Sequence, residues 1–137
     1  MVMSWVLDSS LTLAWALPDE FSQRADEFLA QLTPASGFWV PALWWYEVSN
    51  ALLMAQQRKR IKEVDRLQAI DLLSQLPLQT DTPNIGIVRY IHELAFAHSL
   101  SAYDASYLEL ALRKGLGLAT FDGRLKQAAE KSGLHTF

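Results

Sequence analysis

The sequence predicts an α/β fold whose mainly parallel sheet carries helices on both faces, and three observations predict it. Short apolar runs rich in strand formers alternate with longer segments of helical spacing. The first run, Val2 to Leu7, is almost unbroken in its apolar character, as befits a strand covered on both sides. Aspartates stand directly after two of the runs, Asp8 and Asp122, at what would be the carboxyl ends of parallel strands, where open α/β sheets place their ligands.

The elements follow in order. After Val2 to Leu7 comes a short helix around Leu11 to Leu17, stopped by Pro18, and then an amphipathic one with Phe21, Ala25, Phe28, Leu29 and Leu32 on one stripe. Phe38 to Val40 is a second strand. Trp44, Val48, Ala51, Leu52 and Ala55 mark the helix after it, with Glu47 and Asn50 sharing a different face. Glu63 to Leu76 forms a further helix, with Val64, Leu67, Ile70 and Leu73 aligned and Pro77 at its end. Leu78 to Thr82 reads as a weak third strand, and Ile87, Val88, Ile91, Leu94 and Ala95 line the next helix. Ser101 to Lys114 is helical up to Gly115, and Leu118 to Phe121 makes a fourth strand. Gly123 to Ser132 is the last helix, and Leu134 to Phe137 a candidate fifth strand.

Composition narrows the function. The 137 residues form one domain, 1–137, with a single core, and half of them are hydrophobic. There is no cysteine, which removes disulfide scaffolds, thiolate zinc sites and cysteine nucleophiles. The longest apolar run, Phe38 to Tyr46, contains Pro41 and falls far short of the roughly 20 residues of a membrane span. No Lys or Arg precedes Leu11 to Leu17 as a signal peptide would require, so a cytoplasmic location is expected. With 12 Lys and Arg against 15 Asp and Glu, the net charge of −3 argues against a coat-like nucleic-acid binder but not against an enzyme acting on nucleic acid.

Four acids carry the chemical reading. Taken alone, Asp8 suits a helix cap, Asp122 an Asp-Gly turn, Asp104 a capping box begun by Ser101, and Glu47 an ordinary helix surface. Taken together they are harder to dismiss. Ionised carboxylates within about 5 Å repel by roughly 3 kcal/mol per pair at an effective dielectric near 20. Such a cluster must hold protons or recruit a cation, and all-oxygen ligands favour magnesium or manganese. A divalent ion so held generates hydroxide from bound water and neutralises a phosphodiester under attack, so phosphodiester hydrolysis is the natural candidate. Ser10, Asn50 and Thr120 stand where they would orient these ligands.

Competing chemistries fail on the sequence. His92-Glu93 opens a zincin helix, but Phe96 occupies the second histidine position. His92 and His98 lie about 120° apart on a helix, which disfavours a paired-histidine ribonuclease. Gly115-Leu116-Gly117 precedes a strand, the reverse of a phosphate loop, and Gly-x-Ser-x-Gly is absent.

Four motifs in this order resemble a PIN domain of the VapC type, the ribonuclease toxins of toxin–antitoxin pairs. They are Val6-Leu7-Asp8-Ser9-Ser10, the stretch Pro41 to Leu52 around Glu47, the stretch Tyr103 to Ala111 around Asp104, and Leu118 to Leu125 around Asp122. The family's acidic quartet falls on Asp8, Glu47, Asp104 and Asp122, with Ser10 and Thr120 at its small polar positions. The resemblance implies a three-layer α/β/α sandwich with a sheet of four or five strands, a homodimer, and cleavage of RNA that depends on Mg²⁺ or Mn²⁺ and leaves a 5′-phosphate. It also implies a small antitoxin as partner. The Trp44-Trp45-Tyr46 cluster is unusually aromatic for the family, and one of the two tryptophan rings is expected to face outward at an interface.

Bases flanking an acidic pocket would help RNA approach it. The candidates are Arg58, Lys59, Arg60 and Lys62, then Arg113 and Lys114, then Arg124 and Lys126, although a solvated helix end accounts equally for the first run. Two other functions stay open: a PIN-fold module that binds without cutting, and a DNA or flap nuclease of related fold.

Overall fold

Val6 and Leu7 have no exposed surface, and the strand they belong to, β1 (Trp5–Leu7), lies at the centre of the sheet. The computed structural model describes residues 4–20 and 22–137, so the Val2 end of the expected first strand and Phe21 of the second helix's stripe lie outside the described residues. The other strands are β2 (Phe38–Pro41), β3 (Gln79–Asp81) and β4 (Gly117–Ala119), and all pairings are parallel in the order β3-β2-β1-β4. Polar, largely exposed Gln79 and Thr80 suit the edge position of β3. The expected fifth strand is reduced to a single parallel bridge between Leu118 and Thr136.

The helices are α1 (Ser9–Ala16), α2 (Gln23–Leu29), α3 (Leu43–Gln57), α4 (Glu63–Ser74), α5 (Ile85–His98), α6 (Ala102–Lys114) and α7 (Gly123–Lys131), with a 3-10 turn at Pro18–Glu20. The chain steps from β1 to β2 to β3 in one direction and then crosses back beyond β1 to β4. Right-handed crossovers therefore put α1 to α4 on one face and α5 to α7 on the other. Packing agrees: α1 meets α2 and α3, α3 meets α4, α6 meets α5 and α7. This is the three-layer sandwich that the motifs implied.

The core lies between these layers. Trp44, Val48, Leu52 and Ala55 are buried along α3, as their spacing requires. Helix α4 departs from its expected stripe. Ala69 and Leu73 are its buried residues, while Val64 and Leu67 are exposed. The helix packs on α3 rather than on the sheet, so a narrow seam suffices to hold it. Glycine is needed at position 117, where a Cβ would stand 2.6 Å from the Trp5 ring of the neighbouring strand. Trp44 is buried, and Trp45 is half-buried with its indole N–H donating to Thr80 Oγ1 at 2.9 Å. Neither ring stands free; the exposed aromatic of the cluster is Tyr46.

Candidate active site

The strand order reverses between β1 and β4, and the crevice beyond their carboxyl ends is where Asp8 and Asp122 emerge. Asp8 continues the ladder by donating its backbone N–H to Ala119 O at 2.9 Å. Its carboxylate makes no capping bond to α1. Instead Oδ2 accepts from Ser10 Oγ at 2.6 Å and from Thr120 Oγ1 at 2.7 Å, which fixes the carboxylate across the two strand ends. The two hydroxyls are 3.3 Å apart, and they accept in turn from the backbone N–H groups of Phe121 and Asp122. Ser10 thus holds the acid it follows in sequence, and Thr120, which precedes Asp122 in sequence, also holds Asp8 across the strand ends.

Asp122 is the N-cap of α7, accepting from Leu125 N–H at 2.9 Å. Asp104 lies in the first turn of α6, whose cap Ser101 accepts from the Asp104 backbone N–H at 3.0 Å. Glu47 lies in the second turn of α3. Asp8, Asp104 and Asp122 therefore sit at helix N-termini, where the helix dipole favours negative charge, and Glu47 lies one turn further along its helix.

Their charges are felt mutually. Burial pushes the Asp8 carboxyl above its ordinary range against the opposing pull of Ser10 and Thr120, and the charge of Asp122 pushes the same way. Burial also raises Glu47, with Asp8 and Asp104 adding to it. Asp104 is raised by burial and then by Asp8 and Asp122. Among the described residues, the ion pairs engage other acids, and no base pairs with any of these four. The convergence is looser than a closed cage: no three His, Asp or Glu side chains of the described residues stand at the spacing that grips one ion. The donor set is nonetheless all oxygen, multiply negative and without a basic counterpart, which is the chemistry a hard divalent cation takes.

Asn50 departs from its expected part. It is exposed on the rim of a cavity of about 250 Å³ shared with Tyr46, Glu47 and Tyr103, and it makes no hydrogen bond to Glu47. Tyr107 and Ser9 hold Glu47 instead, both donating to Oε1, with the Ser9 bond at 3.3 Å. Burial, reinforced by Asp8 and Glu47, raises the Tyr107 phenol far beyond its usual value, so it stays a donor. The sequence reading missed both. Tyr107 stands three residues after Asp104 on the same helical face, which is the signal that could have found it.

The basic candidates divide. Arg60 is bound to Asp19 at 2.7 Å and Glu20 at 3.1 Å. Arg113 is clamped by Asp81 and Glu109, at 2.6 and 2.8 Å, and the Lys114 ammonium lies 3.8 Å from the centre of the Trp39 ring. These three serve the fold. Arg58, Lys59 and Lys62 are exposed, but they lie beyond the far end of α3, about 16 Å along the helix axis from Glu47. That run therefore does not flank the acids. Arg124 and Lys126 lie in the opening turn of α7, which Asp122 caps.

Comparison with known proteins agrees with this geometry. The PIN domain family model matches residues 5–131. The chain is 33% identical to ribonuclease VapC9 of Mycobacterium tuberculosis over 125 residues, 91% of each protein. Its fold is similar to the crystal structure of PAE2754 from Pyrobaculum aerophilum, with a TM-score of 0.72 and 23% identity over 98% of this chain and 83% of that one. It is also similar to that of VapBC2 from Rickettsia felis bound to a DNA fragment from their promoter, with a TM-score of 0.69 and 12% identity over 98% of both. With its switch-point carboxylates and its match to the family along nearly the whole length, the chain belongs to the PIN-domain family and is of the VapC type.

Proposed function

We propose that this chain is a cytoplasmic, single-domain endoribonuclease of residues 1–137 that depends on Mg²⁺ or Mn²⁺, and the toxin of a toxin–antitoxin pair. It acts as a homodimer and is held in check by a small cognate antitoxin. The supporting likenesses are to a protein named ribonuclease VapC9 and, in fold, to VapBC2 of Rickettsia felis bound to a DNA fragment from their promoter. The observation that carries the chemistry is Asp8: buried, fixed by two hydroxyls, and facing the charges of Asp122, Glu47 and Asp104 with no base to offset them.

In this reading Asp8, Asp104 and Asp122 hold the ion, with Glu47 assisting. A bound ion supplies positive charge to the phosphodiester and lowers the pKa of a water. The protein's part is positioning. Ser10 and Thr120 orient Asp8, Tyr107 and Ser9 orient Glu47, and Ser101 and Leu125 anchor the turns that present Asp104 and Asp122.

The test is cleavage of a mixture of structured RNAs with Mn²⁺, by the natural sequence and by Asp8→Asn. We expect the variant to lose at least about 100-fold in rate. Equal cleavage by both overturns the metal-site assignment, no cleavage by either points to a binding module, and cleavage of DNA in preference to RNA points to a DNA nuclease.

A further inference from the structure

A groove of about 520 Å³ runs between the end of α5 and the outer face of α7, starting one helical turn from Asp122. Its α7 wall is made by Arg124, Gln127, Ala128 and Lys131, spaced by three, four and seven residues and so aligned along one stripe of the helix. The facing wall contributes His98 and Ser99, where α5 ends in a left-handed turn. No acid lines the groove, and among the described residues neither Arg124 nor Lys131 has a carboxylate partner. This sets them apart from Arg60 and Arg113, whose charges are committed to the fold. In a chain of net charge −3, a groove lined by two free cations on the helix that Asp122 caps is a specific placement of charge.

We propose that this groove holds the sugar-phosphate backbone of single-stranded RNA on one side of the cleavage point. The proposal rests on the ribonuclease reading above and adds the path of the strand. Arg124 takes the phosphate nearest the acids and Lys131 one further along. Gln127, His98 and Ser99 supply hydrogen-bond donors between them. The stripe from Arg124 to Lys131 is about 10 Å long, a span that a stacked strand covers in about three nucleotides. No Phe, Tyr or Trp lines the groove, so its contacts are mainly those of cations and hydrogen-bond donors to the backbone. A negative strand needs this help, because the site it must reach repels it until a cation is present.

The test is the affinity of a fluorescent oligouridine for Asp8→Asn protein, which removes one of the repelling charges and does not cut the strand, followed by anisotropy over a range of salt. Lys131→Glu is compared with Lys59→Glu, and the pair Arg124→Glu with Lys131→Glu is compared with the pair Arg58→Glu with Lys59→Glu, each control making the same charge change beyond the far end of α3. We expect the groove pair to weaken binding at least about tenfold. The slope of log affinity against log salt should become shallower by about 0.7 for each phosphate the groove no longer neutralises, with the controls matching their parent. A groove pair that binds as tightly and with the same slope as its parent overturns the groove alone, provided that the natural sequence cleaves RNA. An equal loss in the control pair also overturns it, by showing a response to net charge. A parent that binds no oligouridine, together with a natural sequence that cuts no RNA, overturns the groove and the ribonuclease reading at once.

Discussion

At Glu47 two hydroxyls, of Tyr107 and Ser9, converge on one carboxylate oxygen, and the Tyr107 side chain is buried beneath it. An oxygen so held cannot swing away from the cleft without leaving a buried phenol unpaired, which costs about 1–3 kcal/mol. Tyr107→Phe frees Glu47 while keeping the ring's volume. Its kcat on RNA should fall about tenfold with KM little changed, as steady-state cleavage will show. An unaltered kcat would mean that Glu47 needs no support. Each of the four acids suits an ordinary local role, so they stood out as candidates only in combination and through the motifs around them. Tyr107 did not stand out, since a tyrosine in an apolar helical stripe looks like core, and it is core as well as a donor. Asn50 was assigned to Glu47 by spacing alone, but one turn of helix gives proximity without a hydrogen bond, and its side chain stays at the rim.

The pairing of β1 with β4 sets the separation of Asp8 and Asp122, and its register depends on a close approach. Trp5 lies opposite Gly117, Val6 opposite Leu118 and Leu7 opposite Ala119. Gly117→Ala drives a methyl into the Trp5 ring. It should destabilise the fold by about 1–3 kcal/mol, read as a lower midpoint in thermal unfolding, and an unchanged midpoint would contradict the packing described. Helices that bury one full stripe, such as α3, were legible from spacing. Helix α4 was legible as a helix too, but only the Ile70 and Leu73 end of its expected stripe is covered, against α3, while Val64 and Leu67 stay exposed. The fifth strand shrank to one bridge for a comparable reason: only Thr136 finds a ladder position beside Leu118.

For the whole molecule, the order β3-β2-β1-β4 returns the chain past β1, and acids from α3, α6 and two strand ends come near enough for their charges to act on one another. Alternating apolar runs and helical stripes were enough to reveal the class of fold. The order of strands is a non-local property and was not read from the sequence; the structure supplies it. The gathering of like charge also sets how stability responds to pH. Asp8, Glu47 and Asp104 all have raised values in the folded protein, with burial the largest cause in each. Protons therefore favour the folded form. The contribution is fully present below the unfolded-chain values near 4 and is lost as pH rises through the folded ones. A divalent cation should offset that loss, by about 2.7 kcal/mol when present at about 100 times its Kd.

The most direct measurement is the thermal midpoint of the natural sequence and of Asp8→Asn, with and without Mn²⁺, from about pH 5 to about pH 8. Without Mn²⁺, the natural sequence should lose stability with rising pH more steeply than Asp8→Asn, and the variant should melt a few degrees higher near neutrality. Added Mn²⁺ should raise the midpoint of the natural sequence at neutral pH and leave that of the variant nearly unmoved. Midpoints that respond alike in the two proteins, or a natural sequence indifferent to Mn²⁺, would contradict the claim that these carboxylates meet at one point to share a cation.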